Sequence, residues 1–227
     1  MSDTPQDHET WNEAMAKRFD PDAFITKSGF FIRTIEAMRL DRTRRSLKLG
    51  AGLAVLDLGC GPGNLLERLE GGRVVGFDLS DYLLAQARAR VQGRAGFEVI
   101  KGDAERLPFP DGSFDRIVCS EVLEHVEKPE QVLREMRRVA RSGARVVITV
   151  PNETLINLTK RVVIALGLKR WIARDYPMSD DMLDEWHRTE ITEAWVLDAC
   201  RPLLRHAGTS SVPLPGLAFH RVLSFDV

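Results

Sequence analysis

Four acidic residues follow apolar runs at intervals along the chain. Asp57 comes after Val55-Leu56, Asp78 after Val74-Val75-Gly76-Phe77, Asp103 after Val99-Ile100, and Glu121 after Ile117-Val118-Cys119-Ser120. Asp57 is followed by Gly59, Gly61 and Gly63, with Cys60, Pro62 and Asn64 around them. Glycines at that spacing let a turn adopt positive φ and let a ligand come close to the main chain. Gly63 stands one position early for a dinucleotide fingerprint, and Asn64 occupies the place where Gly or Ala belongs. A carboxylate at Asp57 would repel a pyrophosphate but would favour an amino-acid ammonium group. Asp78 lies about twenty residues beyond the glycine turn, where an acid accepts hydrogen bonds from two adjacent ribose hydroxyls. Ser80 or Asp81 is better placed than Asp78 to cap the helix that follows. His125 has an imidazole that titrates near neutrality. It is a candidate to take a phenolic or enolic proton or to position an acceptor, or else it packs locally. Glu121, Glu124 and His125 would share a divalent cation if the segment were helical, with His187 as a further ligand. Glu121 otherwise orients a ligand.

These residues need a scaffold that brings run ends together, and the patterning supplies one. Strands are expected over 53–58, 73–78, 97–101, 114–120 and 145–150. Helices are expected over 64–70, 81–91 and 130–140. The strands are short and continuously apolar, as strands buried on both faces are. Their alternation with helices implies a parallel sheet covered on both sides, with ligands at the carboxyl ends of the strands. Residues 1 to 50 read as a helical lead-in: Trp11, Met15 and Phe19 recur at helical spacing, and Pro21 separates them from Phe24, Phe30, Phe31, Ile35 and Met38. At the far end a helix is expected over 193–206, capped by Thr192 and Gly208 and strained by Pro202. Strands at 209–212 and 217–225 follow, joined by Pro213, Pro215 and Gly216. That connection is too short for a crossover helix, so the pair is antiparallel.

The string Asp57-Leu58-Gly59-Cys60-Gly61-Pro62-Gly63 resembles the first motif of the class I S-adenosylmethionine (SAM)-dependent methyltransferases. Leu107-Pro108-Phe109-Pro110-Asp111-Gly112-Ser113-Phe114-Asp115 resembles the branch that includes the ubiquinone- and menaquinone-biosynthesis methyltransferases. So does Glu121-Val122-Leu123-Glu124-His125. The matching segments span roughly residues 55 to 150 in the family's order. The resemblance implies an α/β, Rossmann-like, seven-stranded and mostly parallel sheet with an antiparallel last strand. It implies that Asp103 accepts from an adenine amino group and that Ala104 offers its N–H to the ring. It further implies cofactor contacts from Asp57, Gly59, Cys60, Gly61, Gly63, Asn64, Asp78, Leu79, Ser80, Glu105 and Ser120, with His125 and Glu121 on the catalytic side. The Glu121–His125 string also resembles the metal-binding segments of ubiquinone O-methyltransferases and of small-RNA terminal 2′-O-methyltransferases, so a divalent metal on Glu121, Glu124 and His125 stays open.

Composition bounds the rest. The chain has 227 residues, enough for one full α/β domain with an elaboration. Its 44% hydrophobic and 29% charged content fits a globule rather than a disordered chain. A net charge of −1 argues against a nucleic-acid partner. The polar, acidic start carries no secretory signal. Cys60, Cys119 and Cys200 match no metal spacing and read as reduced thiols, which places the protein in the cytoplasm. Residues 1–50 are expected to cap the cofactor site and 51–227 to form the methyltransferase domain. The apolar and basic stretch at about 154–190 is expected to act as a substrate lid, with contact at a membrane surface as a less favoured use. The expected activity is methyl transfer from SAM to a small-molecule acceptor, foremost a hydroxyl of a phenolic or other lipophilic metabolite. The alternatives are an RNA terminal 2′-O-methyltransferase and a non-catalytic SAM-binding regulator.

Overall fold

The structure is a computed structural model that describes residues 8–167 and 188–227. Three helices lead in: α1 (His8–Arg18), α2 (Pro21–Lys27) and α3 (Phe30–Ser46). Then come β1 (Ala54–Leu58), β2 (Arg73–Asp78), α4 (Asp81–Val91), β3 (Phe97–Lys101), β4 (Phe114–Ser120), α5 (Pro129–Val139), β5 (Ala140–Pro151) and α6 (Glu153–Ala165). The chain ends with α7 (Glu193–Cys200), β6 (Arg205–Leu214) and β7 (Leu217–Asp226).

The seven strands among the described residues join one sheet in the order β3-β2-β1-β4-β5-β7-β6. The first five pair in parallel, whereas β7 runs antiparallel to both β5 and β6. Order reverses at β1, so its carboxyl end and that of β4 open a crevice beside Asp57 and Ser120. Val55, Leu56 and Leu58 in β1 and Val74, Val75 and Phe77 in β2 are fully buried, because helices cover both faces. One apolar layer joins Leu56, Phe77, Ile117 and Ile148 to α5 and α7. The other joins Val55, Val74, Val118 and Val147 to α3 and α4.

The Leu107–Asp115 string is built as a rigid bracket. Phe109 meets Phe77 and Phe114 edge-on, with ring centroids 5.6 and 5.0 Å apart. Arg138 of α5 donates to the Phe109 and Leu107 carbonyls at 2.8 and 3.0 Å and reaches the Asp111 carboxylate at 2.8 Å. The three cysteines are free and buried.

Several elements depart from the expected boundaries. Residues 64–70 do not form an α-helix; only one 3-10 turn forms, at Leu66–Arg68. The cause is the Gly71-Gly72 passage. A Cβ at Gly71 would sit 2.7 Å from the Leu53 carbonyl oxygen, and one at Gly72 would sit 2.9 Å from Gly52 Cα. The chain must therefore turn back under β1 before a second helical turn can close. The helix expected over 193–206 stops at Cys200, where Pro202 prevents its continuation. Gly208 lies within β6 and caps nothing. The last two strands reach beyond 209–212 and 217–225, because β6 and β7 pair along nearly their whole length. The fifth strand begins at Ala140, five residues before the expected start.

Candidate active site

A cleft of about 910 Å³ opens at the carboxyl ends of β1, β2 and β4. The glycine turn after β1 forms its floor. Gly59 has φ +69 and a Cβ there would lie 2.2 Å from Val122 Cγ2, so only glycine fits beneath the turn that follows β4. Gly61 has φ +52 with open space where a Cβ would stand, so its bare backbone faces the cleft. Gly63 packs on Ala87 of α4 instead and does not line the cleft. Cys60 and Asn64 do line it. Burial pushes the Cys60 thiol well up, which removes it as a nucleophile.

Asp57 is 1% exposed, and its Oδ2 has no hydrogen-bond partner. Desolvation, with the neighbouring Asp78 charge, pushes its carboxyl up to about 7, while Arg39 pulls the other way. An orphaned buried acid on a cleft wall is stabilised by a cationic ligand, and this donor set fits the ammonium end of an amino-acid-bearing cofactor. Asp78 sits at the end of β2. Its Oδ2 accepts from Gly61 N at 2.8 Å and its Oδ1 from Ser80 N at 2.9 Å. Each oxygen keeps a further lone pair, so the carboxylate both braces the glycine turn and retains capacity for ribose hydroxyls. Burial raises its pKa despite those donors. Ser80, as its position suggests, is the N-cap of α4; its Oγ also donates to Glu13 of α1 at 2.6 Å. Buried in that role, Ser80 does not line the cleft. Leu79, Asp103 and Ala104 do. Glu105 turns away: its Oε1 accepts from Glu127 N and Lys128 N at 3.0 and 2.8 Å, which fastens the loop ahead of α5.

The roof comes from the lead-in helices. His8, Asn12, Phe19, Phe24, Phe31, Ile32 and Ile35 all line the cleft. α1 is tied down where His8 Nε2 lies 3.3 Å from the His125 carbonyl oxygen and where the Arg188 guanidinium stacks 4.7 Å from the Trp11 ring centre. Tyr82 donates to Asp20 at 2.7 Å and Arg90 pairs with Asp22, which ties α2 to α4.

The segment after β4 is a turn rather than a helix. Its geometry separates Glu121, Glu124 and His125, which only a helical segment would bring together on a cation. Glu121 and His125 line the cleft, whereas Glu124 points into the interior at 1% exposure, with neither carboxylate oxygen hydrogen-bonded. Burial raises the Glu124 pKa well above the carboxylate range, and the Glu121 charge adds to it. Among the described residues no three His, Cys, Asp or Glu side chains gather as a metal site. His187 lies outside the described residues.

What the sequence did not reveal is a closed ring of polar side chains at one end of the cleft. Arg39 of α3 donates to Glu36 Oε2 at 2.7 and 3.0 Å and to Ser120 Oγ at 2.7 Å. Ser120 Oγ and Thr149 Oγ1 are 2.9 Å apart, and Thr149 donates to Glu121 Oε1 at 2.8 Å. His220 of β7 closes the ring, with Nδ1 3.3 Å from Glu121 Oε2 and Nε2 3.3 Å from Glu36 Oε1. The two carboxylates outweigh burial and lift the His220 imidazole to about 9, so it is cationic at neutral pH. Arg39 holds the Glu36 carboxyl far below its usual value. Ser120, expected at the cofactor, lines the cleft but is committed to this ring. Glu36 and Arg39 stand three apart on one helix, a spacing that signals contact; nothing local joins them to His220.

Comparison with known proteins gives the same picture. A family model described as a methyltransferase domain matches residues 56–148, the stretch from β1 to β5 that carries the glycine turn and the acidic strand ends. The demethylmenaquinone methyltransferase of Clavibacter sepedonicus is 30% identical over 75% of this chain and 71% of its own length. An uncharacterized 37.1 kDa protein in transposon TN4556 of Streptomyces fradiae is 41% identical over 53% of this chain. The match spans only 35% of that relative's length. A SAM-dependent methyltransferase from Aquifex aeolicus has the same fold, with a TM-score of 0.61 and 18% identity over 94% of this chain and 97% of that one. The chain belongs to the SAM-dependent methyltransferases.

Proposed function

We propose that this methyltransferase acts on a hydroxyl of a phenolic or other lipophilic small molecule. The observation that carries this reading is the mixed lining of the cleft. Phe19, Phe24, Phe31, Ile32, Ile156 and Phe219 line the cleft together with Glu121, His125 and His220. An apolar body with one hydroxyl satisfies both kinds of lining, and burying such a body against apolar side chains is favourable by about 25 cal/mol per Å². The relative from Clavibacter, whose name places it on a menaquinone precursor, is in keeping with a lipophilic acceptor.

SAM, when bound, supplies a methyl group already made electrophilic by its sulfonium. In this reading Asp57 faces the ammonium group, Asp78 the ribose, and Asp103 and Ala104 the adenine. The protein's remaining work is to hold the acceptor in line, exclude water and receive a proton. In this reading helices α1 to α3, whose residues line the cleft, serve as the cap over the cofactor. Ile156, Thr159 and Val163 of α6 line its side. Of the proposed lid, 168–187 lies outside the described residues. Glu121 and His125 are the groups nearest to proton transfer. No helix among the described residues is long and apolar enough to cross a membrane.

The test is calorimetric titration with SAM and S-adenosylhomocysteine, joined to a transfer screen on catechols, phenols and hydroquinones, with amines and short RNA as competitors. Phe31→Ser should raise the acceptor KM several-fold and leave cofactor affinity unchanged. Transfer confined to amines or RNA refutes the reading.

A further inference from the structure

Glu121 has φ +57, in the left-handed region that a non-glycine side chain rarely adopts. Such strain persists only where the surroundings enforce it, and it is a pointer to function. Here it turns the carboxylate back across the end of β4, with 21% of the side chain still open to the cleft. Thr149 holds one oxygen at 2.8 Å and His220 stands 3.3 Å from the other. His220 is buried behind it, backed in turn by Glu36 and Arg39. The ring draws on α3, β4, β5 and β7, so four separate elements converge on one carboxylate that lines the cleft.

We propose that His220 is a positioning residue that keeps Glu121 ionised at the acceptor end of the cleft, so that Glu121 accepts the hydrogen bond of the acceptor hydroxyl and then its proton. The proposal rests on the hydroxyl reading given above. In the step itself, the acceptor oxygen would form its bond to the methyl carbon as the methyl–sulfur bond breaks, its electron pair staying on sulfur to leave S-adenosylhomocysteine. The O–H bond pair stays on oxygen, and the proton passes to Glu121 Oε2 and on to solvent when the product leaves. His220 cannot contact the acceptor through Nδ1, because that nitrogen is fully buried. It acts through Glu121.

The charges around Glu121 show why a cation is needed there. Burial and Glu36 from α3 oppose its ionisation, and His220 from β7 and Arg39 from α3 favour it; Glu124 of the same turn stands beside it, its own ionisation disfavoured by burial and by the Glu121 charge. Glu153 of α6 acts on Glu124. With His220 in place the balance holds Glu121 below the ordinary carboxylate range. Without it, burial and the other carboxylates prevail. A group that must be ionised gives full kcat/KM above its pKa and loses it as pH falls through that value. Wild-type kcat/KM should therefore stay flat down to about pH 5. In His220→Gln the acid limb should move up by about two units or more, so that kcat/KM at pH 5.5 falls several-fold relative to pH 8. The affinity for S-adenosylhomocysteine should be unaltered.

The independent reading is the NMR titration of the His220 ring, expected near 9 in the wild type and lower in Glu121→Gln. If His220→Gln does not fold, Thr149→Val removes the hydroxyl that serves the other oxygen of Glu121 and should shift the acid limb in the same direction. Hydroxyl methylation with an acid limb indifferent to both substitutions overturns this proposal alone. So does a His220 ring that titrates at its ordinary value in the wild type. Transfer to amines alone overturns the functional reading and this proposal with it.

Discussion

Asp57 is expected to make cofactor affinity depend on pH and to cost the ligand-free protein stability. Its carboxyl is raised from 3.8 to about 7, with burial the leading cause and the Asp78 charge the second. At about 1.36 kcal/mol per unit, three units correspond to about 4 kcal/mol of unfavourable ionisation in the folded, empty protein. The folded pKa lies above the unfolded one. Asp57 is therefore neutral in both states below about pH 4, becomes increasingly destabilising from there to pH 7, and is constant above. Asp57→Asn removes this cost but leaves a buried amide short of partners, which returns about 1–3 kcal/mol. The net gain of about 1–3 kcal/mol at pH 8 should appear as a melting point raised by about 2–12 °C in the ligand-free protein, and should fade towards pH 4. A bound ammonium group reverses the balance, because it favours the ionised form. Affinity for SAM should then rise roughly 20–30-fold between pH 5.5 and 7.5, with proton release on binding at the lower end. Calorimetry across that range, repeated in two buffers of different ionisation enthalpy, reads both quantities. Asp57→Asn should bind more weakly and with a shallower slope. A wild-type affinity that changes less than about threefold across that range, or an equal slope in the variant, would refute the assignment.

Two further substitutions test the floor of the cleft. Asp78→Ala removes the acceptor that braces Gly61 N and Ser80 N as well as any ribose contact; at about 1.5–3 kcal/mol per charged hydrogen bond, SAM should bind at least about tenfold more weakly, as read by calorimetry. Gly59→Ala places a methyl 2.2 Å from Val122 Cγ2 at φ +69, so it should lower the melting point by several degrees and abolish cofactor binding, whereas Gly61→Ala meets open space and carries only the left-handed backbone cost of about 1–2 kcal/mol, so it should destabilise less and act mainly on affinity.

The parts of this molecule that were legible in its sequence are those whose determinants are local. A parallel strand covered on both faces must be apolar throughout, so β1 to β4 announce themselves as short hydrophobic runs, and the residue that ends each run is placed at the crevice by topology alone. Asp57, Asp78, Asp103 and Glu121 were found in that way. The helix expected at 64–70 does not form although its apolar spacing is helical, because Gly71 and Gly72 run so close to Leu53 and Gly52 that a Cβ at either would come within 3 Å of that chain, a constraint that only the folded backbone imposes. The ionic ring was illegible for a related reason. Thr149 faces Ser120 across the β4–β5 ladder, and His220 faces Pro151 across β5–β7. Each belongs to a strand that reads as ordinary core, and Glu36 and Arg39 belong to a helix more than eighty residues away from the turn they serve. The trace they leave is polarity where burial is expected: His220 is buried between Phe219 and the half-buried Arg221 in a strand whose other central residues are interior, and Glu36 follows the buried Ile35. A buried charge without a local partner must find one from elsewhere in the fold. Such misplaced polar residues are therefore the sequence-level mark of a site assembled from distant segments, and here they converge on the carboxylate whose strained backbone turns it into the cleft.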